Sequence, residues 1–284
     1  MIPAPFDYHA PTTVEEAVRL LDSSGDDVKV LAGGQSLLPV LRLRLAAPEV
    51  VIDLGRISSL SGIREEGDRL VIGAMTPHSD VESDPLVAQH AALLAKASQT
   101  VADPQVRHRG TFGGALVHAD PAGDLPAPAL AMDAEFVIAG PGGTRTVGAA
   151  DFFVDLFTTA VGEDEILTEV RVPKFTGWGA HYEKFTRVAQ QWSIVAVGAT
   201  VRVEGDVIAD ARVALTNMDS VPVRSRSVEQ ALVGTPVEEG AIARAVADIA
   251  NGTNPPTDTN GDAAYRSHLA GVLARRAVLA AAVG

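Results

Sequence analysis

A mixed helix-and-strand protein of two or three compact units is the fold class this sequence predicts, on three observations. The chain has 284 residues, too many for one small core and too few for three full domains. Short β-runs that end in glycine are interspersed with helical periodicity through roughly the first 176 residues. Beyond them, three strand-like runs precede three helical ones.

The composition limits what such a chain does. Hydrophobic residues make up 46% and charged residues 21%, as in a soluble globular protein. No apolar run approaches the roughly 18 residues of a membrane span. The opening "MIPAPFDYHAP" has neither a basic start nor a hydrophobic signal core, so the cytoplasm is the expected location. A formal charge of −13 argues against nucleic acid or an anionic membrane as an electrostatic partner. Cysteine is absent, which excludes disulfides, a thiolate-ligated iron–sulfur cluster and a Cys-type zinc site within this chain.

Element by element, "PTTVEEAVRLLDSSG" predicts a helix. Thr13 and Glu16 have capping-box spacing, Val14, Ala17, Val18 and Leu21 share one stripe, and Gly25 ends it. "VKVLAGG" is a short β-run, "SLLPVLRLRLAAP" an irregular helical piece interrupted by Pro39, and "VVIDLG" a strand. In "DRLVIGAMTPHSDVE" a strand gives way to a helix with Thr76 as cap and Pro77 as its first residue. One helix is expected over 86–101 and another near 125–132. β-runs follow at 135–139 and 144–147, joined by a "GPGG" hairpin turn, and "ILTEVRVP" alternates as a strand. The character shifts at "KFTGWGAH", which puts the main boundary near residue 176. Strands near 180–187, 194–204 and 207–217 and helices near 226–233, 238–250 and 262–282 complete the chain, without internal repeats.

Two glycine pairs carry the chemistry. Leu31 and Ala32 lead into Gly33, Gly34, Gln35, Ser36 and Leu37. A turn without Cβ atoms reaches positive φ and lets a ligand approach its N–H groups. Curled N–H groups form an anion nest without Lys or Arg, which suits an acidic protein holding a pyrophosphate. An isolated glycine pair more often makes only a tight turn. The third glycine and surrounding βαβ unit of a Rossmann fingerprint are not expected here, and the Lys-Ser/Thr ending of a P-loop is absent.

A second stretch, "RGTFGGALVHADPAGD", repeats the pattern with Thr111, Phe112, Gly113, Gly114 and Ala115, then Asp120 and Asp124. A hydroxyl and bare amides bond phosphate oxygens, and a carboxylate accepts from ribose hydroxyls, so two half-sites would embrace one dinucleotide. Asp120 before Pro121 also reads as a turn and Asp124 as a helix cap. His118 and Asp120 have metal-like spacing, but two ligands do not make a site and a surface loop is the better reading. Arg107, His108 and Arg109 read as a solvated face.

Taken together, "AGGQSLLP" and "RGTFGGALVHADPAGDLPA" resemble the flavin-binding subunit of the molybdenum hydroxylases, the xanthine dehydrogenase family, and within it the carbon monoxide dehydrogenase branch. "FDYHAPTTVEEAVRLL", "YEKFTRVAQQWSIVAVGA" and "YRSHLAGVLARRAV" extend the resemblance along nearly the whole chain. It implies an α+β FAD-binding region, 1–176, of the vanillyl-alcohol oxidase type with subdomains at about 1–56 and 57–176. A smaller α/β domain, 177–284, with a three-stranded antiparallel sheet and helices would follow. FAD would lie between the two, with both glycine loops at its pyrophosphate and Asp124 toward the ribose and phosphate end. Lys184 would approach the isoalloxazine and Trp192 would stand where relatives often carry a tyrosine against it. Lys184 also reads as a solvated strand lysine and Trp192 as a strand-core residue. Gln35 and Ala115 depart from the His and Asn of many relatives, a difference that tunes affinity at roughly 1 kcal/mol per hydrogen bond.

The resemblance further implies an electron-transfer role. A large subunit would hold a molybdenum–pterin cofactor and a small one two [2Fe–2S] clusters, assembled as a dimer of heterotrimers, with FAD here reducing an external acceptor. Such a complex places the chain in the cytoplasm or against the inner membrane face. A free-standing flavoprotein dehydrogenase or oxidase, and an assembly subunit that has lost FAD, stay open as alternatives.

Overall fold

The computed structural model describes residues 2–25 and 27–284. Three strands open the chain in the order Asp7–His9, Val50–Asp53, Val28–Leu31, all parallel. Helix Val14–Ser23 packs Ala17, Val18 and Leu21 beneath them. Its cap is as expected: Thr13 accepts from Glu16 N at 3.2 Å, while the Glu16 carboxylate reaches one residue further back, to Thr12 N at 2.8 Å.

Parallel pairing of Val28–Leu31 with Val50–Asp53 across helix Leu37–Arg42 is a βαβ unit. The expectation that none surrounds the first glycine pair is therefore corrected. The helix has only six residues and a proline, too short for periodicity to reveal. Pro39 does not interrupt it, because a proline in the first helical turn lacks only an N–H that would be unpaired anyway.

A five-stranded antiparallel sheet follows, in the order Ile63–Glu66, Arg69–Gly73, Ile166–Pro173, Glu135–Gly140, Gly143–Gly148. Ile166–Pro173, which alternates in sequence, is its centre. Two helix expectations near it are corrected. Thr76 does not cap: its hydroxyl bonds Gly62 N at 3.0 Å, and the helix His78–Ser83 starts after Pro77. The expected helix over 86–101 is two, Pro85–His90 and Ala92–Gln99. The break at Ala91 frees the His90 carbonyl to accept from Phe175 N at 2.8 Å, and Leu94 N turns to Ala91 O instead.

The last sheet holds Gly179–Phe185, Val195–Glu204 and Val207–Thr216, the three expected strands, plus a two-residue edge strand, Val223–Arg224. Strand Val195–Glu204 is buried on both faces, which is why its sequence runs apolar without alternation. Val195, Val197 and Ala199 pack against the terminal helix Ala263–Val283, while Ala196 joins the core beneath the five-stranded sheet. Tyr182 and Ala214 join it too, so the two sheets share one interior.

Candidate functional site

Both glycine turns line one cleft of about 400 Å³. The first turn leaves strand Val28–Leu31 and enters helix Leu37–Arg42; the second begins helix Phe112–His118. They touch. A Cβ on Gly33 would overlap the Arg109 carbonyl oxygen and stand 2.7 Å from Gly110 Cα, so the missing side chain lets two backbones abut.

The turns divide the work. The N–H groups of Gly33, Gly34, Gln35, Ser36 and Leu37 have no backbone acceptor among the described residues. Gly34 has φ +77°, which curls this run of donors. In the second turn the amides are spent: Phe112 N donates to Thr76 O and Gly113 N to Ala74 O, both at 2.8 Å. Gly114 N donates to Thr111 Oγ1 at 3.2 Å and Ala115 N to Thr111 O at 3.1 Å. The second half-site, expected to offer a hydroxyl and bare amides to phosphate, has these groups bonded within the protein and acts as a brace, since a Cβ on Gly113 would lie 2.5 Å from Ala74 Cβ.

Ala32, Thr111 and Ala115 also line the cleft, and Gln35 folds its amide toward its own Gly33 carbonyl at 3.4 Å. Leu31 ends its strand behind the turn, and Phe112 is fully buried in the core. Sequence reasoning missed other walls, among them Lys29, Ala74, Met75, His78, Val161 and Glu165. Lys29, two residues ahead of Leu31, was the one available signal. Arg145 clamps Glu165 at 2.7 Å through Nε, and that hydrogen bond holds the carboxyl below its usual range.

His78 lies beneath the second turn, its N–H donating to Gly110 O at 3.0 Å. Burial, with help from the Arg107 charge, lowers its pKa from 6.5 to about 4. The folded chain thus takes up a proton later than the unfolded one, and stability present above pH 6.5 is lost as pH falls toward about 4. Urea unfolding of wild type is expected to show a loss of ~3 kcal/mol over that window from this group. His78→Gln should flatten the slope, and an unchanged slope would assign it to other groups.

Asp124, Lys184 and Trp192 lie outside the lining of this cleft. Asp124 does not cap the next helix, Pro126–Ala131, whose N-terminal flank is Leu125. Its carboxylate instead crosses to the last sheet, accepting from Lys184 Nζ at 2.7 Å, Ser193 Oγ at 3.0 Å and the Tyr182 hydroxyl at 3.1 Å. Burial pushes the Asp124 carboxyl up, against the pull of Lys184. Lys184 is no solvated strand lysine: it is 10% exposed and also donates to Thr100 O.

Trp192 is no strand-core residue either, being 54% exposed in the connection between Gly179–Phe185 and Val195–Glu204. The base of that connection is pinned. Asn217 Nδ2 donates to Ser193 O at 2.8 Å, and the fully buried Arg266 donates to Ile194 O. Asp120 makes the expected turn, accepting from Ala122 N at 2.9 Å. Among the described residues no group of three or more metal-binding side chains occurs. Arg107 leaves the solvated face expected of it, paired through Nε with Glu82 at 2.6 Å, while His108 and Arg109 are exposed.

A glycine-lined cleft with a run of amides that lack backbone acceptors is a wall of the class that can hold the phosphates of a nucleotide. A family model described as "FAD binding domain in molybdopterin dehydrogenase" matches residues 4–175, and one described as "CO dehydrogenase flavoprotein C-terminal domain" matches residues 180–281. The chain belongs to the FAD-binding medium-subunit family of the molybdopterin dehydrogenases, and is an oxidoreductase subunit.

It is 45% identical to the carbon monoxide dehydrogenase medium chain of Hydrogenophaga pseudoflava, over 99% of this chain and 98% of that one. The solved carbon monoxide dehydrogenase of the same organism superposes with a TM-score of 0.95, again covering 99% and 98% of the two chains. The nicotine 6-hydroxylase medium subunit of Paenarthrobacter nicotinovorans is 36% identical over 96% of each chain. No helix among the described residues is long and apolar enough to cross a membrane.

Proposed function

We propose that this chain takes electrons from [2Fe–2S] clusters in a small partner subunit and delivers them to an external acceptor. Those clusters would be fed by a molybdenum–pterin centre in a large subunit, in a dimer of heterotrimers that oxidises carbon monoxide. The observation that carries the reading is the first glycine turn, five successive amides without backbone acceptors on the wall of a braced cleft. The residues fit FAD: its diphosphate needs donors rather than bulk, and the turn supplies them without a cation.

In this reading Gly33, Gly34, Gln35, Ser36 and Leu37 hold the diphosphate, with Leu31 and Ala32 setting the turn. Thr111, Phe112, Gly113, Gly114 and Ala115 fix the facing wall. Asp124 lies toward the ribose and phosphate end and holds Lys184, which orders the flavin end, and Trp192 offers its open face to the ring. Bound there, FAD supplies the capacity to accept electrons singly and release them in pairs. The chain supplies position and exclusion of water and needs no acid–base residue of its own.

Purified chain is expected to be yellow, to release stoichiometric FAD on denaturation, and to co-purify from its native source with molybdenum- and iron-containing subunits that reduce a dye with carbon monoxide. A colourless protein that takes up no added FAD would sink the reading and favour an assembly role. Turnover of a small substrate by the isolated chain would favour a free-standing flavoprotein.

A further inference from the structure

We infer that His118, held from behind by Phe157, is the stacking platform for the adenine of FAD; the inference rests on the FAD reading above. His118 ends helix Phe112–His118, whose first residue belongs to the second glycine turn. At 1.5 Å per residue the imidazole's backbone is about 9 Å along the axis from that turn, comparable with the span of a ribose and a purine. The ring lines the cleft and is half-buried, beside Val117, Val161, Ile166 and Leu167. Glu165 on the same wall is committed to Arg145, so this end is suited to a flat uncharged group. Lys184 and Trp192, assigned to the flavin end, do not line it.

Phe157 supplies an independent observation. It sits in the hairpin between Phe153–Asp155 and Thr158–Thr159 with φ +53°, a left-handed conformation that an aromatic residue adopts only at a cost. Such strain persists where surrounding structure imposes it, often at binding sites. Here it brings the Phe157 ring 5.2 Å from His118, tilted 41°, on a residue that is otherwise 52% exposed. Phe157 packs against the imidazole from outside the cleft lining, and a base would stack on the part of the ring that lines the cleft.

Apoprotein of the full chain titrated with FAD, ADP and FMN tests this. His118→Ala should weaken FAD and ADP by about five- to tenfold and leave FMN unchanged. His118→Phe, which keeps a flat ring, should hold FAD within about twofold of wild type. Phe157→Gly relieves the backbone and should fold no worse, yet weaken FAD and ADP in the same direction. Wild-type affinity for FAD and ADP in His118→Ala, or an equal loss for FMN, overturns the platform while leaving the functional reading intact. A wild-type chain that binds neither FAD nor ADP overturns both.

Discussion

Gly33→Ala is expected to leave purified protein with less than about a tenth of its FAD, because two backbones abut where its side chain would stand. Its new carbon would overlap the Arg109 carbonyl oxygen and crowd Gly110 Cα. Both are backbone atoms and neither can swing away, so the two turns must part. Forced overpacking of this kind costs about 1–3 kcal/mol. Parting the turns also shifts the donor run relative to the wall that faces it, and a site of fixed donors loses affinity when its geometry moves. The controls isolate the cause. At Gly34, with φ +77°, the crowding atoms belong to the flexible side chains of Leu38 and Leu31, and Gly25, with φ +73°, has no neighbour within 4 Å. Alanine at either carries left-handed strain of about 1–2 kcal/mol without separating the turns. Gly25→Ala should therefore retain all of its FAD, measured by absorbance of released flavin, whereas Gly34→Ala, whose positive φ shapes the donor run itself, should lose part of its FAD without parting the turns. Full FAD in Gly33→Ala would show that contact between the turns is dispensable.

The same residue shows what the sequence makes legible. That glycine pairs stand where strand yields to helix is local information, and so is the Thr13 cap. Strand Val195–Glu204 and helix Ala263–Val283 were readable because burial demands a long apolar run. Why Gly33 must be glycine was not readable, since its constraint is the carbonyl of Arg109. The break at Ala91 is likewise set by Phe175, and the spent amides of the second turn by Ala74 and Thr76. The parallel pairing around Leu37–Arg42 escaped for a different reason: a six-residue helix offers too few turns for a stripe. Lys184 read as a solvated residue because its anion, Asp124, lies 60 residues earlier.

That pair yields the second large effect. Lys184→Met is expected to destabilise the chain by about 3–5 kcal/mol near neutral pH, because it leaves a buried carboxylate without its cation. The Asp124 side chain is 4% exposed, and Ser193 and Tyr182 offer it hydroxyls but no charge. Burial already raises this carboxyl above its ordinary 3.8, and losing Lys184 removes the leading force opposing that rise. A folded carboxyl with a raised pKa contributes stability that is complete below the unfolded value and lost as pH climbs through the folded one. The deficit of Lys184→Met relative to wild type should thus be largest at pH 8 and shrink on acidification as Asp124 takes up a proton. Adding Asp124→Asn removes the stranded charge and should restore part of the loss, a coupling that a double-mutant cycle reads directly. Because the pair joins the segment after the second glycine turn to the last sheet, the single variant should also loosen Trp192 and raise its accessibility to a quencher such as acrylamide. A deficit that is the same at pH 5 and pH 8, and unrelieved in the double variant, would mean that Lys184 acts through its packed aliphatic stem and not through its charge.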